Sequence, residues 1–217
     1  VGAFVGGSML LAGYLAGLTG ISFLPGIAAM IMYVIITGGL HLDGLADTFD
    51  GVFPGRSREK MLEIMRDSRT GTYGVLALVF VSIIDVILIN EVLTGGHCNL
   101  LFLAPVAGRT GMLFAASVSI YARKEGMAKP FINACGRGEF VAGLILAAIL
   151  LFIVLPFDGY IAGLAGLASV VLLSFVCTRL LSAMLGGMTG DTLGAVCELA
   201  QPLFLLVCIV LIKIENI

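Results

Sequence analysis

VGAFVGGSMLLAGYLAGLTGISFLPGIAAMIMYVIITGGLHL, residues Val1 to Leu42, contains no Asp, Glu, Lys or Arg. A helix needs about 20 apolar residues to cross a bilayer core, so this stretch holds two crossings joined near residues 19–22. Outward from it, 59% of the 217 residues are hydrophobic, 29 are glycine and only 12% are charged. An ordinary soluble domain is about 25% charged, so too little polar surface is left to cover a water-soluble fold. Uninterrupted apolar windows fall at roughly 2–18, 23–40, 73–93, 100–121, 140–156, 160–178 and 195–213. The expectation is an all-α polytopic membrane bundle of about seven transmembrane helices over residues 1–217, with one short amphipathic helix at its edge.

Charge orients this bundle. Ten of the twelve Lys and Arg residues lie in the segments 40–72, 122–139 and 178–194, while the loops between them on the other face hold none. The positive-inside rule places that basic face in the cytoplasm. A net charge of -2 without a basic stripe argues against a nucleic-acid polymer as partner. Five cysteines, odd in number and without a CxxC pair, suggest neither a disulfide framework nor a zinc site.

The segment 37–51, TGGLHLDGLADTFDG, spaces Asp43, Asp47 and Asp50 by four and three residues, which places them on one side of a helix. Carboxylates about 6 Å apart repel by on the order of 2–3 kcal/mol per pair at an effective dielectric near 20, so a cation between them is favoured. Mg²⁺ suits such hard oxygen ligands and shares them readily with phosphates. A solvated acidic turn is the alternative. His41, two residues earlier, is either a polar filler or a proton acceptor.

A second acidic stretch lies in 186–198, where Asp191 and Glu198 are seven residues apart and share a helix face. At an offset of 148, Gly38-Gly39 falls on Gly186-Gly187, Asp43 on Asp191, Leu45 on Leu193 and Asp50 on Glu198. A parallel duplication would bring both carboxylate groups to one mouth; chance matching of glycines is the alternative.

Between these stretches, segment 57–74 begins as an amphipathic helix with Met61, Leu62 and Met65 on its apolar side, expected to lie along the interface. It ends in DSRTGTYG, where Asp67, Ser68, Arg69 and Thr72 supply a guanidinium, hydroxyls and glycine backbone suited to gripping a phosphate at a helix start. Arg109, inside the fourth span, is costly unless it meets a phosphate or an acid such as Asp85 or Glu91. Residues 122–139 read as a mobile basic lid or a lipid anchor.

Mg²⁺-holding acids, phosphate-holding arginines and an embedded bowl describe transfer of a phosphate-linked group to or from an amphiphile. An anion transporter is the non-enzyme alternative. GGLHLDGLADTFDG, REKMLEIMRDSRTGTYG and GGMTGDTLGAVCEL, in that order and spacing, resemble the signature of the cobalamin synthase family, the adenosylcobinamide-GDP ribazoletransferases. The resemblance covers most of the chain. It implies an integral enzyme of a prokaryotic cell (inner) membrane that joins adenosylcobinamide-GDP to α-ribazole or its 5′-phosphate, releases GMP and uses Mg²⁺. It further implies company with other membrane-associated corrinoid enzymes and a segment preceding Val1.

On both grounds together, the expected metal ligands are Asp43, Asp47, Asp50, Asp191 and Glu198. The expected catalytic residues are Asp47, His41 and Asp67, and the expected substrate contacts are Arg69, Ser68, Arg109 and Thr72. The ribazole 5′-hydroxyl is expected to attack the phosphorus on the cobinamide side. The rivals are a membrane prenyltransferase, whose first motif carries a different acid spacing, and a CDP-alcohol-type phosphotransferase, which shares the physical logic.

Overall fold

The computed structural model describes residues 1–215 as a helical bundle; among them the one extended pairing is an isolated bridge between Tyr121 and Met188. In chain order the helices are α1 (Gly2–Gly17), α2 (Leu24–Thr37), α3 (Leu40–Val52), α4 (Arg58–Ile64), α5 (Thr72–Thr94), α6 (Cys98–Ser117), α7 (Lys129–Ala134), α8 (Arg137–Val154), α9 (Tyr160–Leu185) and α10 (Gly190–Glu215). Among the described residues, α5, α6, α8, α9 and α10 are long and apolar enough to cross a membrane, α2 reaches that length only when joined to α3 across a 90° bend, and α1 is a shorter apolar helix. Seven apolar segments therefore emerge where seven are expected. Their bounds shift: α9 runs on to Leu185 and α10 starts at Gly190, so the second acidic stretch belongs to a spanning helix.

Two glycines redirect the chain at the first acidic stretch. Gly38 ends α2 at φ 62° and Gly39 opens α3 at φ 69°, both left-handed and so accessible to glycine with little penalty. α3 consequently leaves α2 at 90° and lies across the charged mouth. The second stretch starts the same way, with Gly186 closing α9 at φ 74°. There, however, α10 turns back through the bundle.

α10 is the central post, packed against α3, α5, α6 and α9. Its buried face, including Ala200, Phe204, Leu205 and Cys208, joins Leu101, Ala104 and Val170 in the main core. The outward faces of α5 and α9 remain apolar and exposed, as at Phe80, Ile83, Leu172 and Leu180; that is the pattern of helices solvated by lipid rather than water.

The amphipathic helix α4 faces protein. Met61 and Met65 are buried with Ala122 and Leu185, packed against by Val52. The expected lid is likewise pinned where it begins: the Ala122 N–H donates to Met188 O at 2.8 Å, and the Met188 N–H donates to Ile120 O at 2.8 Å. Both segments close the charged face over the ends of α3 and α10.

Candidate active site

The first turn of α10 is fixed by two threonines. The Thr189 N–H donates to Thr192 Oγ1 at 2.8 Å and the Thr192 N–H donates back to Thr189 Oγ1 at 3.2 Å, satisfying amide groups that a helix start otherwise leaves open. Asp191 stands between them, accepts from the Thr189 hydroxyl at 3.2 Å and pairs with the Arg123 guanidinium at 3.0 Å. α3 packs directly on this turn and contributes Asp43, exposed, and Asp47, half-buried. Burial first, then the charges of Asp43 and Asp191, push the Asp47 carboxyl up to about 7; Arg123 pulls the other way. Three carboxyls from two helices thus share one mouth with one guanidinium.

The structure divides the expected acidic set. Asp50 is buried, and its two oxygens accept from the Gly71 N–H at 2.6 Å and the Gly74 N–H at 2.8 Å. It closes the open start of α5, a site where carboxylate charge is favoured by the helix dipole. With an N–H on each oxygen, Asp50 anchors the DSRTGTYG loop to α3.

Glu198 is seven residues along α10 from Asp191, about 10 Å deeper by helix rise. There it accepts a short hydrogen bond from the Tyr33 hydroxyl, which itself accepts from Gln201 Nε2 at 2.9 Å. His41 Nδ1 is 3.7 Å from Glu198 and Cys197 Sγ is close by, so His41, Cys197 and Glu198 could in principle ligate a metal. The Arg109 guanidinium, 5.9 Å above the Tyr33 ring, already supplies positive charge to this buried group, which disfavours a second cation. Arg109 donates to Pro105 O at 3.2 Å and its Nε is buried without a partner. It therefore serves the inner network rather than the open mouth. Neither proposed acid partner bonds it: Glu91 pairs with Lys213 at 2.7 Å, and Asp85 faces a small void beside Tyr33 and Gln201.

In the DSRTGTYG loop, Arg69 clamps Asp67 through Nε at 3.0 Å and Nη2 at 2.6 Å. These side-chain bonds, reinforced by the Arg69 backbone N–H, hold the Asp67 carboxyl down to about 2. A carboxyl so acidic is a poor proton acceptor at neutral pH, and its bonds fix the direction of the Arg69 side chain. Ser68 and Thr72 are exposed beside it. Arg56, Arg69, Thr72 and Tyr73 line a cavity of about 330 Å³ here. His41 at the start of α3 is held down to about 4 by burial and then by Arg109.

Sequence reasoning did not single out Arg123, Tyr33, Gln201 or Arg56. Arg123 was visible only as one of several basic residues after a span; its landing on Asp191 depends on the Ile120–Ala122 pairing with Met188. Tyr33 and Gln201 sit in apolar helices with nothing nearby in sequence to mark them.

Fold and site define a polytopic all-helical membrane protein whose charged face carries a carboxylate cluster flanked by arginines. The family model described as cobalamin-5-phosphate synthase matches residues 1–209. Adenosylcobinamide-GDP ribazoletransferase of Acetivibrio thermocellus is 45% identical over 210 residues, covering 95% of this chain and 82% of that protein. The protein of the same name from Clostridium acetobutylicum is 42% identical over 207 residues, covering 95% and 81%. That from Alkaliphilus oremlandii is 43% identical over 179 residues, covering 81% and 69%. No solved structure matches. The chain belongs to the cobalamin-5-phosphate synthase family.

Proposed function

We propose that this chain joins adenosylcobinamide-GDP to α-ribazole or its 5′-phosphate, releasing GMP, at the cytoplasmic face of a prokaryotic inner membrane. The names of the relatives support the substrates, and the basic face supports the orientation. The observation that carries the chemistry is the meeting of Asp43, Asp47 and Asp191 with Arg123 at one mouth.

The hard carboxylate oxygens of Asp43, Asp47 and Asp191 are the kind Mg²⁺ takes, and the charges of Asp43 and Asp191 add to the burial that raises Asp47 to about 7. Asp43 and Asp191 would hold it, with Asp47 between them. When bound, Mg²⁺ supplies charge stabilisation to the oxygens of a phosphoanhydride.

The chain's own residues do the rest. Arg123 faces Asp191 and is placed to meet a phosphate oxygen drawn to the same mouth. An acceptor ribose hydroxyl forms a bond to the phosphorus on the cobinamide side, the bond from that phosphorus to the bridging oxygen breaks, and GMP leaves with the electron pair. The proton goes to Asp47, half-buried in the same mouth, whereas Asp67 is clamped by Arg69. A product named cobalamin-5-phosphate keeps a phosphate on the 5′ oxygen, so a secondary ribose hydroxyl, rather than the expected 5′-hydroxyl, attacks.

The test is GMP release by purified, lipid-reconstituted protein given adenosylcobinamide-GDP, α-ribazole 5′-phosphate and Mg²⁺. The expected result is GMP formed in step with the joined corrinoid and abolished by EDTA. A prenylated product, or uptake of ligand without GMP, would overturn the assignment.

A further inference from the structure

Two aromatic rings at the end of α3 stack with a third at the start of α5. Phe49 stacks on Phe53 with centroids 4.7 Å apart at 15°, and Phe53 stacks on Tyr73 of α5 at 6.0 Å and 24°. Phe53 is 59% and Tyr73 45% exposed, so the end of the stack is open. Tyr73 is also a wall of the cavity of about 330 Å³, together with Arg56, Arg69, Thr72, Asp67 and Asp50. That volume lies within the range of small-molecule sites.

The polar groups of the wall differ in how far they are committed. Asp50 holds the start of α5, and Arg69 is locked to Asp67. Arg56, by contrast, has neither a hydrogen bond nor an ion pair among the described residues, and it follows the turn at Gly55, φ 62°. An open aromatic face, a free guanidinium and a carboxylate edge in one cavity suit an aromatic base carrying a phosphate. The cavity meets the acidic mouth through α3: Asp50 in its wall is one turn from Asp47, about 4.5 Å along the helix.

We propose that this cavity binds the guanosine of the nucleotide, with the base on Tyr73 and its phosphate toward Arg56, which leaves the anhydride over Asp43, Asp47 and Asp191. This rests on the transfer reaction proposed above and names the subsite for the leaving nucleotide. Guanine rather than the ribazole base is favoured because guanine presents N–H donors along one edge, which Asp67, 36% exposed in the wall beside Arg69, can accept. A dimethylated benzimidazole edge presents none.

Binding of GMP and of α-ribazole 5′-phosphate would be measured calorimetrically on the full chain in zwitterionic lipid nanodiscs. Tyr73→Leu is expected to weaken GMP by about tenfold, the scale of one lost stacking contact, while Tyr73→Phe retains it. If Tyr73 served only as a membrane-interface anchor, its loss would not change GMP affinity, so equal GMP binding by Tyr73→Leu and wild type overturns the proposal. Arg56→Gln is expected to weaken GMP by a similar factor and guanosine much less; equal losses for both would overturn Arg56 as the phosphate contact. Binding of α-ribazole 5′-phosphate should be unchanged in every variant. Its loss alongside GMP would overturn the division into two subsites. A wild type that makes the joined product while its variants bind GMP normally removes this subsite alone. A wild type that binds GMP through Tyr73 but makes no product supports the cavity and removes the reaction.

Discussion

Gly44 lies against the backbone of Asp191: a methyl group placed on it would stand 2.8 Å from the Asp191 carbonyl oxygen and 2.9 Å from its Cα. α3 and α10 therefore touch main chain to main chain at the height of the acidic mouth. Asp43, adjacent to Gly44, and Asp47, one turn on, are carried to Asp191 by that contact. The reciprocal position is also glycine, since a methyl on Gly194 would meet His41 Cα at 3.2 Å.

Gly44→Ala is accordingly expected to force the two helices apart. The obstacle is backbone, which cannot rotate away, so the cost is about 1–3 kcal/mol, the usual range for overpacking a core. The variant should insert into membranes, melt earlier and lose most GMP release. Thermal unfolding in detergent together with the transfer assay checks this, and wild-type activity in Gly44→Ala would show that the close contact is dispensable.

Asp47 gives the pH dependence a definite sign. Its folded carboxyl is raised to about 7 from an ordinary 3.8, first by burial and then by Asp43 and Asp191. Its contribution is therefore greatest below the unfolded value and is lost as pH rises through the folded one. Without divalent cation, melting temperature should fall between about pH 4 and pH 7 by more in wild type than in Asp47→Asn. Mg²⁺ should raise melting more at about pH 8 than at about pH 6, because its oxygen ligands must be ionised. Equal Mg²⁺ effects at both pH values would remove the cation from this mouth.

Arg123 sits where a cation is wanted, 3.0 Å from Asp191 and pulling on Asp47. Replacing it by Gln takes away a positive charge that repels Mg²⁺ and a donor that can reach phosphate. The two effects have opposite readouts: Mg²⁺ should bind several-fold more tightly, while turnover falls by about tenfold or more. Mg²⁺ titration of melting temperature, paired with initial rates of GMP release, separates them.

The charge-free opening stretch made the bundle legible, since crossing length is a local property of sequence; the glycine pairs were read only as matching positions, and their left-handed turn of the chain was not. The pairing of Asp47 with Asp191 was approachable through the repeat offset. The fate of Asp50 was not: its i, i+3 spacing from Asp47 says which side of α3 it is on, but not that the start of α5 arrives there with two open N–H groups. The surroundings of Glu198 were hidden for a similar reason. A seven-residue spacing puts it on the same face as Asp191 but also two turns deeper, and only the placement of Tyr33 shows what meets it there.

Glu198 therefore supplies a test that separates depth from chemistry. It is 1% exposed and joined to Tyr33, while Tyr33 is joined to Gln201, so its loss strands hydroxyl and amide groups inside the bundle. Glu198→Leu should cost about 1–3 kcal/mol for each polar group left unsatisfied, seen as a lower melting temperature. Glu198→Gln keeps an oxygen for Tyr33 and should restore much of that stability. Because neither change touches the mouth, the Mg²⁺ concentration for half-maximal GMP release should stay at its wild-type value in Glu198→Gln. In Asp191→Asn it should rise by about tenfold or more, as expected when a direct ligand is lost. A rise of the same size in Glu198→Gln would place Glu198 on the ion and require α10 to present two turns of its length to one site.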